Sequence, residues 1–283
     1  FALDVPEPPM HESPSPLLRE IDAEALAASF RKASPTRFFV VDDFLDADFA
    51  RAVAAAYPSF EQARGASGAK EFARLNEDVK VQVTDAARFP EPVRRLSDLL
   101  ASDAFLAWMS RVTGIAALQA DPDLAGGGMH VMGPSGYLGV HVDFNFLRAR
   151  QLFRRLNIIV YLTPDWRDDW DGSFELWDPK VKHRLHAFAP RFNRCMVFNT
   201  TQESFHGVRA IRCPSGATRN SFAAFYYTAE PPDDWNGRHH STIYKARPDE
   251  WSKRLVSMPL AAVRKQKDQA VRGLRRAVRR FRS

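Results

Sequence analysis

His141 and Asp143 stand two positions apart in Gly136-Tyr-Leu-Gly-Val-His-Val-Asp-Phe-Asn145, among valines, a leucine and aromatic residues. That composition predicts a β-strand, and residues i and i+2 of a strand point to the same face. An imidazole nitrogen and a carboxylate oxygen therefore project side by side, as two ligands of a metal would. The expected third ligand is His206, in Glu203-Ser-Phe-His-Gly-Val208, which lies 65 positions downstream. It comes after the apolar run Cys195-Met-Val-Phe198, read as a buried strand, and has to come from a strand packed against the first. Two imidazoles and one carboxylate form the facial triad of non-haem Fe(II) sites and leave three coordination positions open.

Downstream of the triad, a basic residue sharpens the chemistry. Arg219 comes 13 residues after His206, and shares a strand face with Ser221 in Arg219-Asn-Ser-Phe-Ala-Ala-Phe-Tyr-Tyr227. Together they offer a planar guanidinium and a hydroxyl to one carboxylate. The order predicts an acidic cosubstrate anchored beside the metal. Zinc accepts the same three ligands. Arg219 tips the balance to iron, because a hydrolytic zinc site has no evident need for a fixed carboxylate anchor there.

At these residues the chain resembles the 2-oxoglutarate/Fe(II)-dependent dioxygenases, and among them the prolyl-hydroxylase-like branch. The motifs that carry the resemblance are Gly126-Gly-Gly-Met-His130, residues 136–145, Leu156-Asn-Ile-Ile-Val-Tyr-Leu162, Trp170-Asp-Gly-Ser-Phe-Glu-Leu-Trp177, Ser204-Phe-His-Gly207 and Arg219-Asn-Ser221. They are dense between about residues 120 and 230 and specify the superfamily, not the substrate. The resemblance implies that His141, Asp143 and His206 hold Fe(II). It implies that 2-oxoglutarate chelates the metal while Arg219 binds its distal carboxylate. It also implies that O2 converts 2-oxoglutarate to succinate and CO2 as a C–H bond is hydroxylated, with ascorbate a candidate reductant. Asp143 speaks against the halogenating relatives, in which a small residue replaces the carboxylate. Asp171-Gly-Ser-Phe174 departs from the Gly-Gly-Glu-Leu often seen in relatives; the turn is expected to survive on Gly172.

Other polar residues of these strands keep two readings. Asn157 and Tyr161, four apart on one face, either hydrogen-bond 2-oxoglutarate or pack. His130 either faces substrate or cosubstrate, or is a structural strand histidine. The substrate is a small metabolite or natural-product intermediate, or a prolyl or peptidyl side chain. The competing class is a non-catalytic jelly-roll module for binding or sensing. Keeping His141, Asp143, His206 and Arg219 together argues for the enzyme.

The elements that must position these residues are read from pattern. Helices are expected over 22–33 and after Asp46 up to Pro58, with two more in 92–114 broken near Ser102 and closed by Gly114. Strands are expected at 37–42 and 79–83, with a loop at Gly65-Ala-Ser-Gly68 and Lys70, Phe72, Arg74 and Asn76 beyond it. From Gly126 onward the texture changes to about eight short strands separated by Gly, Pro and Asp. That pattern fits a mainly β double-stranded β-helix, the cupin-like jelly roll, with helices flanking it. The expected organisation is an extended Pro-rich arm over 1–17 and a single domain over 18–258, with helical support to residue 120 and a core over 121–230. A basic amphipathic helix is expected over 259–283.

No run of about 18 apolar residues predicts a transmembrane helix. Two cysteines are too few for a disulfide framework, so the cytoplasm is the expected compartment. The net charge of +6 comes from the tail, where residues 264–282 carry nine Lys or Arg and one acid. The rest of the chain is thus slightly acidic, which argues against nucleic acid as a partner of the core. The tail itself fits an anionic membrane surface or another acidic partner, or docking by its apolar stripe.

Overall fold

The computed structural model describes residues 13–251 and residue 253. Residues 1–12 of the expected arm and the basic helix expected over 259–283 lie outside the described residues. The chain divides into two units, Phe1–Tyr244 and Lys245–Ser283. In the described part of the second, Arg247 pairs with Glu250 at 3.4 Å.

Helices of the first unit begin where the sequence supplies a cap. Asp22 accepts from the Ala25 amide to start α1 (Ala23–Lys32), and Asp46 accepts from Asp48 and Phe49 to start α2 (Ala47–Ala55). Ser59 and Gln62 form a reciprocal capping box on α3 (Phe60–Gly65). Ser102 both ends α4 (Glu91–Ala101) and caps α5 (Asp103–Thr113), and α5 stops at Gly114 with φ 72°. Left-handed backbone of that kind favours glycine.

The strands are β1 (Phe38–Val41), β2 (Lys70–Arg74), β3 (Glu77–Val83), β4 (Gln119–Ala120), β5 (Gly128–Val142), β6 (Phe146–Leu147), β7 (Leu152–Tyr161), β8 (Phe174–Trp177), β9 (Arg184–Phe188), β10 (Cys195–Asn199), β11 (His206–Val208), β12 (Arg219–Thr228) and β13 (Ile243–Tyr244). All described pairings are antiparallel. Their path runs β1-β10-β7-β12-β5-β11-β8-β9, with β3 and then β2 added beyond β5, and β13 also on β5. The sheet curls on itself as a jelly roll.

β5 makes the curl possible. Its first half pairs with β12 and β3, through Met132–Arg219 and Met132–Lys80. Its second half pairs with β11 and β13, through His141–His206 and Val142–Ile243, and β3 follows it past the bend through Leu138–Glu77. Between them the chain bends at Gly133-Pro-Ser-Gly136, with Ser135 at φ 68°. A Cβ on Gly136 would stand 2.9 Å from two backbone carbonyl oxygens, those of Gly133 and Val79. The bend is pinned by reciprocal backbone bonds to Ile211. Sequence pattern predicts two strands over 129–143, and the structure joins them into one because the bend keeps its pairing. Beyond the loop expected at 65–68, Lys70–Arg74 forms an edge strand on β3.

Both faces of the major sheet are buried, which is why its strands read as apolar runs without clean alternation. On β7, β10 and β12, Leu156, Ile158, Val160, Cys195, Val197, Phe222 and Tyr226 face the helices and join one core with Phe30, Phe105 and Trp108. The Tyr226 hydroxyl donates to the Leu100 carbonyl at 2.9 Å. The alternate residues face the inside of the roll, where Phe174, Phe198, Met196, Val208 and Ile211 form a second core. The polar residues of the site are set among them.

Candidate active site

His141 and His206 are directly opposite in register on β5 and β11, which brings their rings to 4.3 Å between centroids. Each ring is fixed in the same way. Nδ1 of His141 lies 2.9 Å from the Gly139 carbonyl, and Nδ1 of His206 lies 2.8 Å from the Ser204 carbonyl. A carbonyl only accepts, so Nδ1 donates in both rings and each Nε2 is left with its lone pair. Both lone pairs face Asp143, just past the end of β5. His141 Nε2 is 3.4 Å from Oδ1 and His206 Nε2 is 3.4 Å from Oδ2. Donor atoms of the three residues all lie within 4.8 Å of one another. Two imidazoles and a carboxylate converging at that spacing fit a divalent iron.

The surroundings keep Asp143 and His206 in their ligating protonation states. Burial alone would push the Asp143 carboxyl up. The Arg154 guanidinium, with Nη2 3.2 Å from Oδ2, outweighs it together with His206 and His141, and holds the group well below the ordinary carboxylate value. Burial, reinforced by His141, brings His206 down to about 3. At neutral pH the carboxylate is charged and His206 is neutral. Phe174 stacks on the His206 ring at 5.5 Å and Phe198 approaches it at 4.7 Å, closing that side to water.

Arg219 and Ser221 sit on β12 and face the same cavity, of about 520 Å³, as His141, Asp143 and His206. Arg219 is only 3% exposed. Its Nε donates to the Gly172 carbonyl at 2.8 Å, its Nη1 lies 3.8 Å from the Met132 sulfur, and its guanidinium covers the Tyr161 ring at 4.9 Å. Among the described residues it has no carboxylate partner. A buried cation without an anion is costly, and here it opens onto a cavity beside a metal-ligand set. The turn expected at Gly172 is present, with φ 69°. A Cβ there would meet Ile211 at 3.0 Å and both Arg219 Cδ and Trp166 at 3.2 Å, so glycine gives Arg219 its room.

The remaining predicted site residues divide. His130 lines the cavity opposite Ser221, with its Nε2 3.1 Å from the Gly126 carbonyl. Burial, and then Lys80, push its pKa well below the ordinary histidine value. Asn157 also lines the cavity, but its amide is engaged: Nδ2 donates to Asp143 Oδ2 at 2.7 Å, while Oδ1 accepts from Arg154 Nε at 2.9 Å and from Thr200 at 3.3 Å. It braces the carboxylate. Tyr161 is fully buried beneath Arg219, outside the cavity lining, and its hydroxyl has no hydrogen-bond partner among the described residues. His183, His186, His239 and His240 do not line this cavity.

Two contributors escape sequence reading. Arg154 is 3% exposed and lies against the faces of Phe225 and Phe144, 3.5 and 4.7 Å from the ring centroids. In the sequence it is one of two adjacent arginines, and only its position three residues before Asn157, on a strand facing the site, hints at its role. Tyr244 lays its ring 5.2 Å from that of His141. It arrives on a two-residue strand with no pattern to detect.

Residues 127–227 match the family model described as the 2OG-Fe(II) oxygenase superfamily. No curated protein matches the sequence. Among solved structures, a prolyl hydroxylase from Trichoplax adhaerens, in complex with a hypoxia-inducible-factor oxygen degradation domain peptide fragment, is similar with a TM-score of 0.51. It is 17% identical, over 72% of this chain and 90% of that one. A prolyl-4-hydroxylase from Pseudomonas putida gives a TM-score of 0.51 at 16% identity, over 73% of this chain and all of that one. These likenesses are of fold. The sequence match makes residues 127–227 similar to the 2OG-Fe(II) oxygenase superfamily, and the His141, Asp143 and His206 donor set beside Arg219 fits the iron and 2-oxoglutarate of that superfamily.

Proposed function

We propose that the chain hydroxylates an unactivated C–H bond, with His141, Asp143 and His206 holding the iron and Arg219 and Ser221 receiving the distal carboxylate of 2-oxoglutarate. Bound iron would let O2 serve as the oxidant, one oxygen atom passing into succinate as 2-oxoglutarate loses CO2 and the other turning C–H into C–OH. The protein's part is to position and to exclude. The Gly139 and Ser204 carbonyls hold the two imidazoles in the Nε2-ligating tautomer. Arg154 and Asn157 fix the Asp143 carboxylate by two directed contacts, so its free lone pairs stay aimed at the metal. Phe174 and Phe198 keep water from the His206 side.

The observation that carries this reading is Arg219: a buried guanidinium with no acid partner among the described residues, opening onto the triad's cavity. A non-catalytic binding module has no use for that pairing of an unmatched cation with three converged ligands. The test is succinate formation by purified protein given Fe(II), O2 and 2-oxoglutarate. His141→Ala, Asp143→Ala and His206→Ala should each abolish it. Succinate at the wild-type rate from any one of them removes that residue from the metal set.

A further inference from the structure

The substrate pocket can be read from the sheet that walls it. Residues opposite one another on antiparallel strands point to the same face, and three cross-strand rows face this cavity. The first runs Ser221, His130, Gln82 and Lys70 across β12, β5, β3 and β2. The second runs Arg219, Met132, Lys80 and Phe72. The third runs Leu138, Glu77 and Arg74 across β5, β3 and β2. All of these residues line the cavity. The wall therefore passes from the cosubstrate residues on β12 to an edge strand that presents Lys70, Phe72 and Arg74 at alternate positions.

The hairpin β2–β3 is held at a fixed place relative to the metal ligands. Its Asn76 carbonyl accepts from the Gly139 amide at 2.7 Å, and Gly139 is the residue whose own carbonyl receives His141 Nδ1. The neighbouring Leu75 carbonyl accepts from the Tyr137 hydroxyl at 2.7 Å. With strands about 4.8 Å apart, the β2 edge stands roughly 10 Å from β5, within the span of a small substrate whose other end reaches the metal.

Charge along the wall is not balanced. Asp143 is matched by Arg154 at 3.2 Å, and Glu77 by Lys80 at 2.8 Å. Arg219, as the cosubstrate anchor, is matched by 2-oxoglutarate. Lys70 and Arg74 are left, and neither has a carboxylate partner among the described residues. Lys70 lies 4.5 Å over the Phe72 ring, so the two cations flank an apolar platform that is itself buried.

We propose that Lys70 and Arg74 form the recognition site for an anionic group, a carboxylate or a phosphate, on a small-molecule substrate whose apolar part lies on Phe72. The inference rests on Arg219 being the anchor for 2-oxoglutarate, and names the class of substrate that the same site takes. A cavity of about 520 Å³ falls within the range of small-molecule sites. Both cations are exposed, so each contact is the screened kind: removing one should cost about two- to fivefold in affinity, and both together about tenfold.

The experiment uses the full chain loaded with Mn(II) and saturating 2-oxoglutarate, so that Arg219 is already engaged. Phenylacetate, phenyl phosphate and neutral phenylacetamide are titrated at low ionic strength, and the two anion arms show which acid is preferred. At least one anion should bind about tenfold tighter than the amide, and that preference should fall to within about twofold in the Lys70→Ala/Arg74→Ala double variant. Lys70→Arg/Arg74→Lys should retain it. An amide that binds as well as both anions, or a double variant with the wild-type preference, overturns the proposal. A double variant that binds 2-oxoglutarate as the wild type does is folded, so its loss of preference is specific. Should the wild type itself fail to bind 2-oxoglutarate, the cosubstrate assignment falls. The same titration in an Arg219→Ala background then still decides on Lys70 and Arg74.

Discussion

Replacing Arg219 by alanine separates what this residue does for the fold from what it does for the cosubstrate. In the free protein its charge is buried at 3% exposure with a carbonyl, a thioether and an aromatic face as neighbours. Burial already pulls its pKa below the usual guanidinium value, a sign that the charged form is not well solvated there. Removing it therefore relieves a desolvation cost while forfeiting the bond to Gly172 and some packing on Tyr161. The two effects oppose each other, and the melting temperature without cosubstrate should change little. With 2-oxoglutarate the balance is one-sided. The lost contact is a charge-assisted pair worth about 1.5–3 kcal/mol, which is about ten- to 150-fold in affinity. Calorimetric titration of the Mn(II)-loaded protein measures it, and the thermal shift produced by 2-oxoglutarate should shrink in step. Mn(II) affinity should be unaffected, since the metal ligands are untouched. Gly172→Ala supplies an independent route to the same end. Its methyl would press on Arg219 Cδ at 3.2 Å in a backbone conformation that alanine resists, displacing the anchor without altering its chemistry. If Arg219→Ala binds 2-oxoglutarate like the wild type, the guanidinium is not the anchor, and the reasoning from an unmatched buried cation is wrong.

The electrostatics of the triad give two further expected outcomes. Arg154→Met should destabilise the metal-free protein by about 3–5 kcal/mol, because a buried carboxylate loses its cation. The loss should be smaller with Mn(II) bound, and equal losses in urea melts with and without the ion would remove Arg154 from its role at Asp143. The pH dependence has a defined sign. A histidine whose folded pKa is lowered to about 3 resists the proton that the unfolded chain accepts from about 6.5 downward. Asp143, also depressed, contributes stability above its ordinary value near 3.9 that is lost on acidification. The metal-free protein should lose stability as pH falls from about 6.5 towards 3, and His206→Gln should flatten the upper part of that slope. A wild-type profile flat between pH 6.5 and 4 would show that His206 is not buried as a neutral group.

Much of the site could be read from the chain because its logic is local. His141 and Asp143 needed only strand periodicity, and His206 only a preceding apolar strand. Arg219 was legible because it follows the triad and shares a strand face with Ser221, a pair suited to one carboxylate. The helices could be read through Asp22, Asp46, Ser102 and Gly114, whose capping depends on neighbours within four residues. What was hidden depends on register between distant segments. The unbroken path of β5 through Pro134 relies on Ile211, 77 positions away. Asn157 looks like a cosubstrate ligand by spacing alone, and only the approach of Asp143 and Arg154 shows where its amide is spent. Lys70 and Arg74 sat in a stretch whose Gly65-Ala-Ser-Gly68 start signals a loop; the pairing with β3 overrides that signal.

The two-sided burial of β7, β10 and β12 separates two kinds of constraint by the parity of residue number. On β12 the odd positions Arg219, Ser221, Ala223 and Phe225 meet the cavity, while the even positions Phe222, Ala224 and Tyr226 meet the helices. Apart from the Tyr226 hydroxyl bonded to the Leu100 carbonyl, these even positions fill volume, and cores accept many apolar combinations of similar size. Odd positions carry the chemistry and can be altered without disturbing the helical layer behind them. Such a sheet can diverge on each face at its own pace, and this is one physical route by which chains about 17% identical come to share a fold. The same arrangement makes single-residue insertions dangerous. One extra residue early in β12 exchanges the two faces, sending the arginine towards the helices and the phenylalanines into the cavity. Lineages of this fold should therefore accept length changes in turns such as 214–217, and reject them between 219 and 227.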